Sequence, residues 1–177
     1  IVSAGTNGVI LVGAEFLKSG SGAVLHKVGN GGAKGYDFLA MDATIWQAQV
    51  EALSPDLAII MLGTNDSNAI EYPRTWVTHL TDLIGRIRAV RPLCDVLLIF
   101  SADNGLVESG TTPVLMQAFE GAMRRVAHEQ GAGFLSFYML LGPYEQGNAR
   151  GLYSNTSHVN NEGSRILIDN VSRHFCT

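Results

Sequence analysis

With 177 residues, 46% of them hydrophobic, the chain is long enough to bury one good core and is read most simply as one domain. Its net charge of −4, with 12 Lys and Arg spread along the sequence, argues against a nucleic-acid surface, which calls for a basic patch. No run reaches the roughly 18 apolar residues of a membrane span, and no signal peptide is visible.

The elements follow in chain order. Gly8–Val12 and Ala23–Val28 flank the turn-forming Lys18-Ser19-Gly20-Ser21-Gly22, so residues 1–28 read as a hairpin or two strands of a β-rich element. Tyr36–Leu53 is predicted as one helix. Leu57–Leu62, entered through Pro55-Asp56 and closed by Gly63, is a continuous apolar run suited to a strand buried on both faces. Thr75–Val90 is helical, with Trp76, Leu80, Leu83, Ile84 and Ile87 near helical spacing. Val96–Phe100 repeats the buried-strand design, and Phe134–Tyr138 is a third strand. Pro113–Glu129 is a helix with proline in its first turn, and Asn161–Phe175 is the last helix. Strands alternating with helices imply an α/β fold with a mainly parallel sheet covered on both faces.

Two cysteines, Cys94 and Cys176, leave both a disulfide and two free thiols open. The five histidines (His26, His79, His128, His158 and His174) show no ligand spacing, so neither a metal nor another cofactor is expected.

Three blocks carry chemistry. The loop Gly29-Asn30-Gly31-Gly32-Ala33 fails as a nucleotide motif, because Lys34 stands where a third glycine belongs and no Gly-Lys-Ser/Thr follows. A glycine loop instead lets backbone N–H groups approach a reacting oxygen, or simply makes a tight turn. Gly63-Thr64-Asn65-Asp66 directly follows a predicted strand. His158 lies just ahead of a helix, three residues after Asn155, where a general base would stand. In an open α/β sheet, loops after the carboxyl ends of strands share one crevice, which would bring the blocks together.

Together the three blocks resemble the later signatures of the SGNH (GDSL-type) hydrolase superfamily, over roughly residues 24–177. The resemblance implies a three-layer, flavodoxin-like fold and serine-esterase chemistry. It implies Gly32 and Asn65 as oxyanion donors and His158 as general base, with the residue at 155 orienting it. That residue is normally Asp; here it is Asn155. An amide oxygen can accept from imidazole Nδ1–H, but it supplies no charge to imidazolium and can select the wrong tautomer. Tyr36, Tyr144 and Tyr153 are candidate stacking surfaces for a sugar.

The first signature, Gly-Asp-Ser, does not occur in these 177 residues. Ser67 and Ser101 stand near the crevice but outside any nucleophile motif. We therefore expect the serine on an upstream segment or second chain, with residues 1–23 as a hairpin-like remnant of an inserted β-rich element and residues 24–177 as the α/β domain. Such insertions occur in phage-tail esterases and some peptidoglycan O-acetylesterases of the superfamily, a resemblance that favours an acetylated saccharide as substrate and an extracellular or virion-associated setting. Two rivals stand beside this reading. One is an inactive module of the same fold that binds glycan or a partner protein. The other is a nucleotide-binding α/β domain, against which the failed glycine patterns count.

Overall fold

The computed structural model describes residues 22–68, 72–105 and 113–175. The chain is a three-layer α/β structure around a parallel sheet. Its strands are β1 (Leu57–Leu62), β2 (Asp95–Phe100) and β3 (Gly133–Ser136), in the order β1-β2-β3. Leu57 pairs with Asp95 and Leu62 with Phe100, while Leu97 pairs with Gly133 and Phe100 with Ser136. All three carboxyl ends therefore point to the same edge of the molecule.

The helices are α1 (Gly35–Leu39), α2 (Ala43–Leu53), α3 (Thr64–Asn68), α4 (Pro73–Val90), α5 (Pro113–Glu129), α6 (Phe137–Leu141), α7 (Tyr144–Ala149) and α8 (Asn161–Phe175). The crossover helices α4 and α5 cover one face of the sheet, where Trp76, Leu80 and Ile84 meet Met116, Phe119 and Met123 over Val96, Leu98 and Phe100. The alternate residues of β2, Leu97 and Ile99, face α6 and α8 through Phe137, Leu141, Ile166 and Val171. This alternation explains the unbroken apolar run: a strand covered on both faces has no polar side to show. The rings of Trp76, Phe100 and Phe119 pack edge-on or tilted at 5.0–6.0 Å. Burying each side chain of this size contributes roughly 1.5–3 kcal/mol.

Three local expectations are corrected. Tyr36–Leu53 is two helices, not one. Asp42 caps α2 by accepting the Ile45 N–H at 3.0 Å, and the Arg86 guanidinium takes the carbonyls of Leu39 and Met41 at the end of α1. A helix-capping aspartate inside an otherwise helical pattern thus ends one helix and starts the next. The third strand stops at Ser136, whose hydroxyl accepts from Met139 N–H and starts α6 at Phe137. Ala23–Val28 forms no strand: it has no regular secondary structure, Val24, Leu25 and Val28 are exposed, and no ladder partner lies beside it among the described residues. The rest of the predicted hairpin lies outside the described residues, as does Cys176; Cys94 is a buried free thiol. No helix is long and apolar enough to cross a membrane, and no cluster of metal-ligating side chains occurs among the described residues.

Gly63, which closes β1, sits at φ +131°, and a β-carbon there would lie 2.5 Å from the Phe100 ring. Backbone strain and the steric clash act together. Gly63→Ala is expected to cost about 3 kcal/mol of stability, read as a lower urea midpoint at unchanged slope.

Candidate active site

The turn after β1 carries Asn65 and is tied to its neighbours on both sides. Thr64 donates its hydroxyl to the Ala102 carbonyl at 2.8 Å and its N–H to Ser101 Oγ at 2.7 Å, locking the turn to the end of β2. On the other side, Asn65 Nδ2 donates to the Ala33 carbonyl at 3.1 Å, which draws in the glycine loop. One N–H of the amide is spent on that contact, and the second is left for a ligand. Gly32, next to the latched carbonyl, has φ +79° and open space around its α-carbon. Its backbone takes a conformation that a β-carbon would oppose, in a place where a ligand can come close.

Asp66 sits directly beneath. It is fully buried, and its two carboxylate oxygens accept from Gly35 N–H at 2.7 Å and Gly63 N–H at 3.2 Å. One side chain therefore joins the start of α1, just after the glycine loop, to the turn that carries Asn65. Burial pushes its carboxyl above the usual range, and the two backbone donors partly offset this. The buried Trp76 indole N–H, which completes no hydrogen bond of its own by geometry, lies beside the same carboxylate and helps. In the sequence Asp66 is marked only as the last residue of its block, with no role of its own. Its place right after Asn65, in a strand-to-helix turn, was the available signal.

The His158 loop is a small closed unit. Tyr153 and Val159 bridge antiparallel, and Ser154 donates both its N–H (2.9 Å) and its hydroxyl (3.0 Å) to the His158 carbonyl. Gly105 N–H donates to the Thr156 carbonyl at 2.7 Å, joining this loop to the segment after β2. Asn160 continues the frame through Gly163 N–H and the Gly151 carbonyl, at the start of α8. Within the loop, His158 Nδ1 lies 3.1 Å from Asn155 Oδ1, and both side chains are exposed. Hydrogen bonds thus link the Gly32 loop to Asn65, Asn65's turn to the end of β2, and the segment after β2 to the His158 loop.

A GDSL-like Lipase/Acylhydrolase family model matches residues 12–166. The chain belongs to that family. Solved structures that share the fold of this acylhydrolase-family chain include a peptidoglycan O-acetylesterase, at 21% identity and TM-score 0.64, over 74% of this chain and 40% of that one. A carbohydrate esterase of family 3 from Talaromyces cellulolyticus matches at 17% identity and TM-score 0.63, over 82% of this chain and 67% of that one. A carbohydrate acetylesterase from Sinorhizobium meliloti matches at 18% and 0.57, over 76% and 66%. At these identities the likeness is one of fold. The chain spans 40% of the first structure and about two thirds of the others. No curated relative matches the sequence.

The two serines near the family's crevice are committed elsewhere. Ser101 is buried; because Thr64 spends its proton on Ala102, Ser101 must donate to Thr64 Oγ1 while accepting Thr64 N–H. Ser67, also buried, donates to the Thr64 carbonyl and contacts Met116 Sδ. Neither hydroxyl is presented to a base.

The tyrosines divide. Tyr36 is 41% exposed on α1 near the glycine loop, its ring edge-on to His79 and its hydroxyl within reach of Lys34 Nζ. Tyr153 is only 8% exposed and offers no face to a sugar: its ring packs edge-on against Tyr144 and its hydroxyl donates to the Asp103 carbonyl. Expected as a stacking surface, it is instead an anchor of the His158 loop. Asp103, missed in the sequence, is a buried carboxylate that accepts from Tyr144 and Asn104 N–H, and burial raises its carboxyl above the usual range. No local pattern marks it, because its partner Tyr144 comes 41 residues later.

Proposed function

We propose that this chain works in a serine esterase that removes O-acetyl groups from a carbohydrate, with the nucleophilic serine supplied by a segment outside these 177 residues. His158 takes the serine proton through Nε2 and returns it to the leaving alcohol. Asn65 and Gly32 donate to the oxyanion of the tetrahedral intermediate, and water then releases the acetyl-enzyme. The observation that carries the reading is the hydrogen-bonded frame of Gly32, Asn65 and the His158 loop at the carboxyl ends of the strands. Within that frame the hydroxyls of Ser67 and Ser101, which follow the ends of the strands, are hydrogen-bonded to the Thr64 turn, which supports a nucleophile from elsewhere.

The free edge of β1 supports a strand from elsewhere. Among the described residues β1 pairs on one side only; Ile59 and Met61, alternate residues on one face of it, are each 45% exposed, so β1 is not covered on both faces as its apolar run predicts. An unpaired edge, with its row of open backbone N–H and C=O groups, is a template for strand addition. The carbohydrate part rests on the names of the fold relatives and on the half-exposed ring of Tyr36 beside the glycine loop.

The test is hydrolysis of p-nitrophenyl acetate by the chain, alone and with any polypeptide that co-purifies, before and after a serine-reactive organophosphate. Turnover that the reagent abolishes, with the label on a serine outside this chain, is the expected result. Acetate release from acetylated glycan in preference to longer acyl esters would then assign the substrate. No turnover and no label in either preparation would leave a module of this fold that binds glycan or a partner without catalysis. Within the active enzyme, Asn65→Ala is expected to lower kcat about 10²–10³-fold with KM little changed, as loss of one oxyanion donor does elsewhere.

A further inference from the structure

Asn155 stands where the family's pattern has a carboxylate, and the structure shows how its amide is held. Its Oδ1 accepts backbone N–H groups from Ser157 and His158, each at 2.9 Å, and the same oxygen faces His158 Nδ1 at 3.1 Å. An amide carries one oxygen and one NH2, and its hydrogen-bond partners decide which faces the ring. Two backbone N–H groups can point only at an acceptor; turning the amide over would break both bonds and set donors against donors. The oxygen is therefore kept toward the ring, and Nδ1 must carry the proton. The Nε2 lone pair is then left as the acceptor.

We propose that Asn155 is a tautomer-selecting residue: the backbone of its own loop locks the amide so that neutral His158 is held with its proton on Nδ1 and its base on Nε2, without a carboxylate. In a serine protease the same Asp-to-Asn exchange yields the wrong tautomer and costs about 10⁴ in rate. The difference here is that the orientation is imposed from the backbone side. The loop that imposes it is closed by the Tyr153–Val159 bridge and the two Ser154 bonds to the His158 carbonyl, which keep the N–H groups of Ser157 and His158 turned inward. Asn155 thus replaces the geometry of the family's aspartate and not its charge.

The tautomer can be read on the chain itself, with no activity needed; only its use in catalysis rests on the esterase reading. Long-range ¹H–¹⁵N correlation of ¹⁵N-labelled chain in alkaline buffer, with His158 assigned by the signal lost in His158→Gln, is expected to show the Nδ1–H form. Asn155→Ala should convert His158 to mainly Nε2–H, and Asn155→Asp should keep Nδ1–H, both with amide spectra unchanged outside residues 153–159. An Nε2–H or averaged ring in the unaltered chain would overturn the proposal, and so would a tautomer unmoved by Asn155→Ala. In the enzyme complete with its serine, Asn155→Asp should raise kcat about 5- to 30-fold at constant KM, since a charge-assisted bond replaces a neutral one but the tautomer is already right. A gain near 10⁴-fold would instead mean that the amide had been selecting the wrong tautomer. The Nδ1–H form in a chain that shows no esterase activity with any partner would uphold this inference and sink the proposed function.

Discussion

Asp66→Asn is expected to destabilise the chain by about 2–4 kcal/mol and to lower its melting temperature by roughly 5–15 °C, despite a near-identical side-chain shape. The carboxylate receives N–H groups on both oxygens, from Gly35 and Gly63. An amide can satisfy one of them, but its NH2 must then face the other, leaving a donor unpaired in a fully buried place. The site should loosen as well, since this side chain joins the glycine loop to the Asn65 turn. Faster hydrogen exchange at Gly35 or Gly63 in the variant would show which bond is lost. A loss under about 0.5 kcal/mol, typical of surface changes, would mean that Asp66 is not a joint between the two loops.

The same residue has a pH signature with a definite sign. Burial places the Asp66 carboxyl above its ordinary value of 3.8, so the native state binds this proton more tightly than the unfolded chain does. Its titration then contributes stability that is full below 3.8 and is lost as pH rises through the raised native value. Urea midpoints of the chain and of Asp66→Ala, which has neither the carboxyl nor an amide in its place, compared from about pH 3 to pH 7, should lie furthest apart at the acid end. A gap that widens toward neutral pH would show that the hydrogen bonds outweigh burial.

His158→Ala has the largest expected effect on activity. In the enzyme complete with its serine, kcat on an aryl acetate should fall about 10⁴-fold or more, with KM nearly unchanged. The exposed ring makes no packing contribution that would confuse the reading, so stability should stay within about 0.5 kcal/mol. A residual rate well above that in water is expected from Asn65 and Gly32. A fall of less than tenfold would remove His158 from the role of base and direct the search to another side chain.

Much of the fold was legible because its signals are local. The apolar runs Leu57–Leu62 and Val96–Phe100 became β1 and β2 within one residue, and the helices from Pro113 and Asn161 begin where proline and asparagine mark them. Ala23–Val28 looked equally strand-like, but a strand exists only when another lies beside it. Propensity alone could not provide that neighbour. Tyr36–Leu53 failed for a different reason: Asp42 falls inside an otherwise helical pattern, but its side chain caps a second helix.

The amino-acid order by itself determined the α/β class, the parallel sheet, and the three blocks that hold Gly32, Asn65 and His158, since each depends on residues within a few positions of one another. Only the tertiary structure decided what supports them. Asp66 is satisfied by donors 31 and 3 residues away, Tyr153 by a carbonyl 50 residues back, and the Gly32 loop by an amide 32 residues on. Asn155 lies between the two cases. Its partners are two and three residues away, yet whether its oxygen or its nitrogen meets the histidine depends on where two backbone N–H groups point, and that is set by how the loop closes.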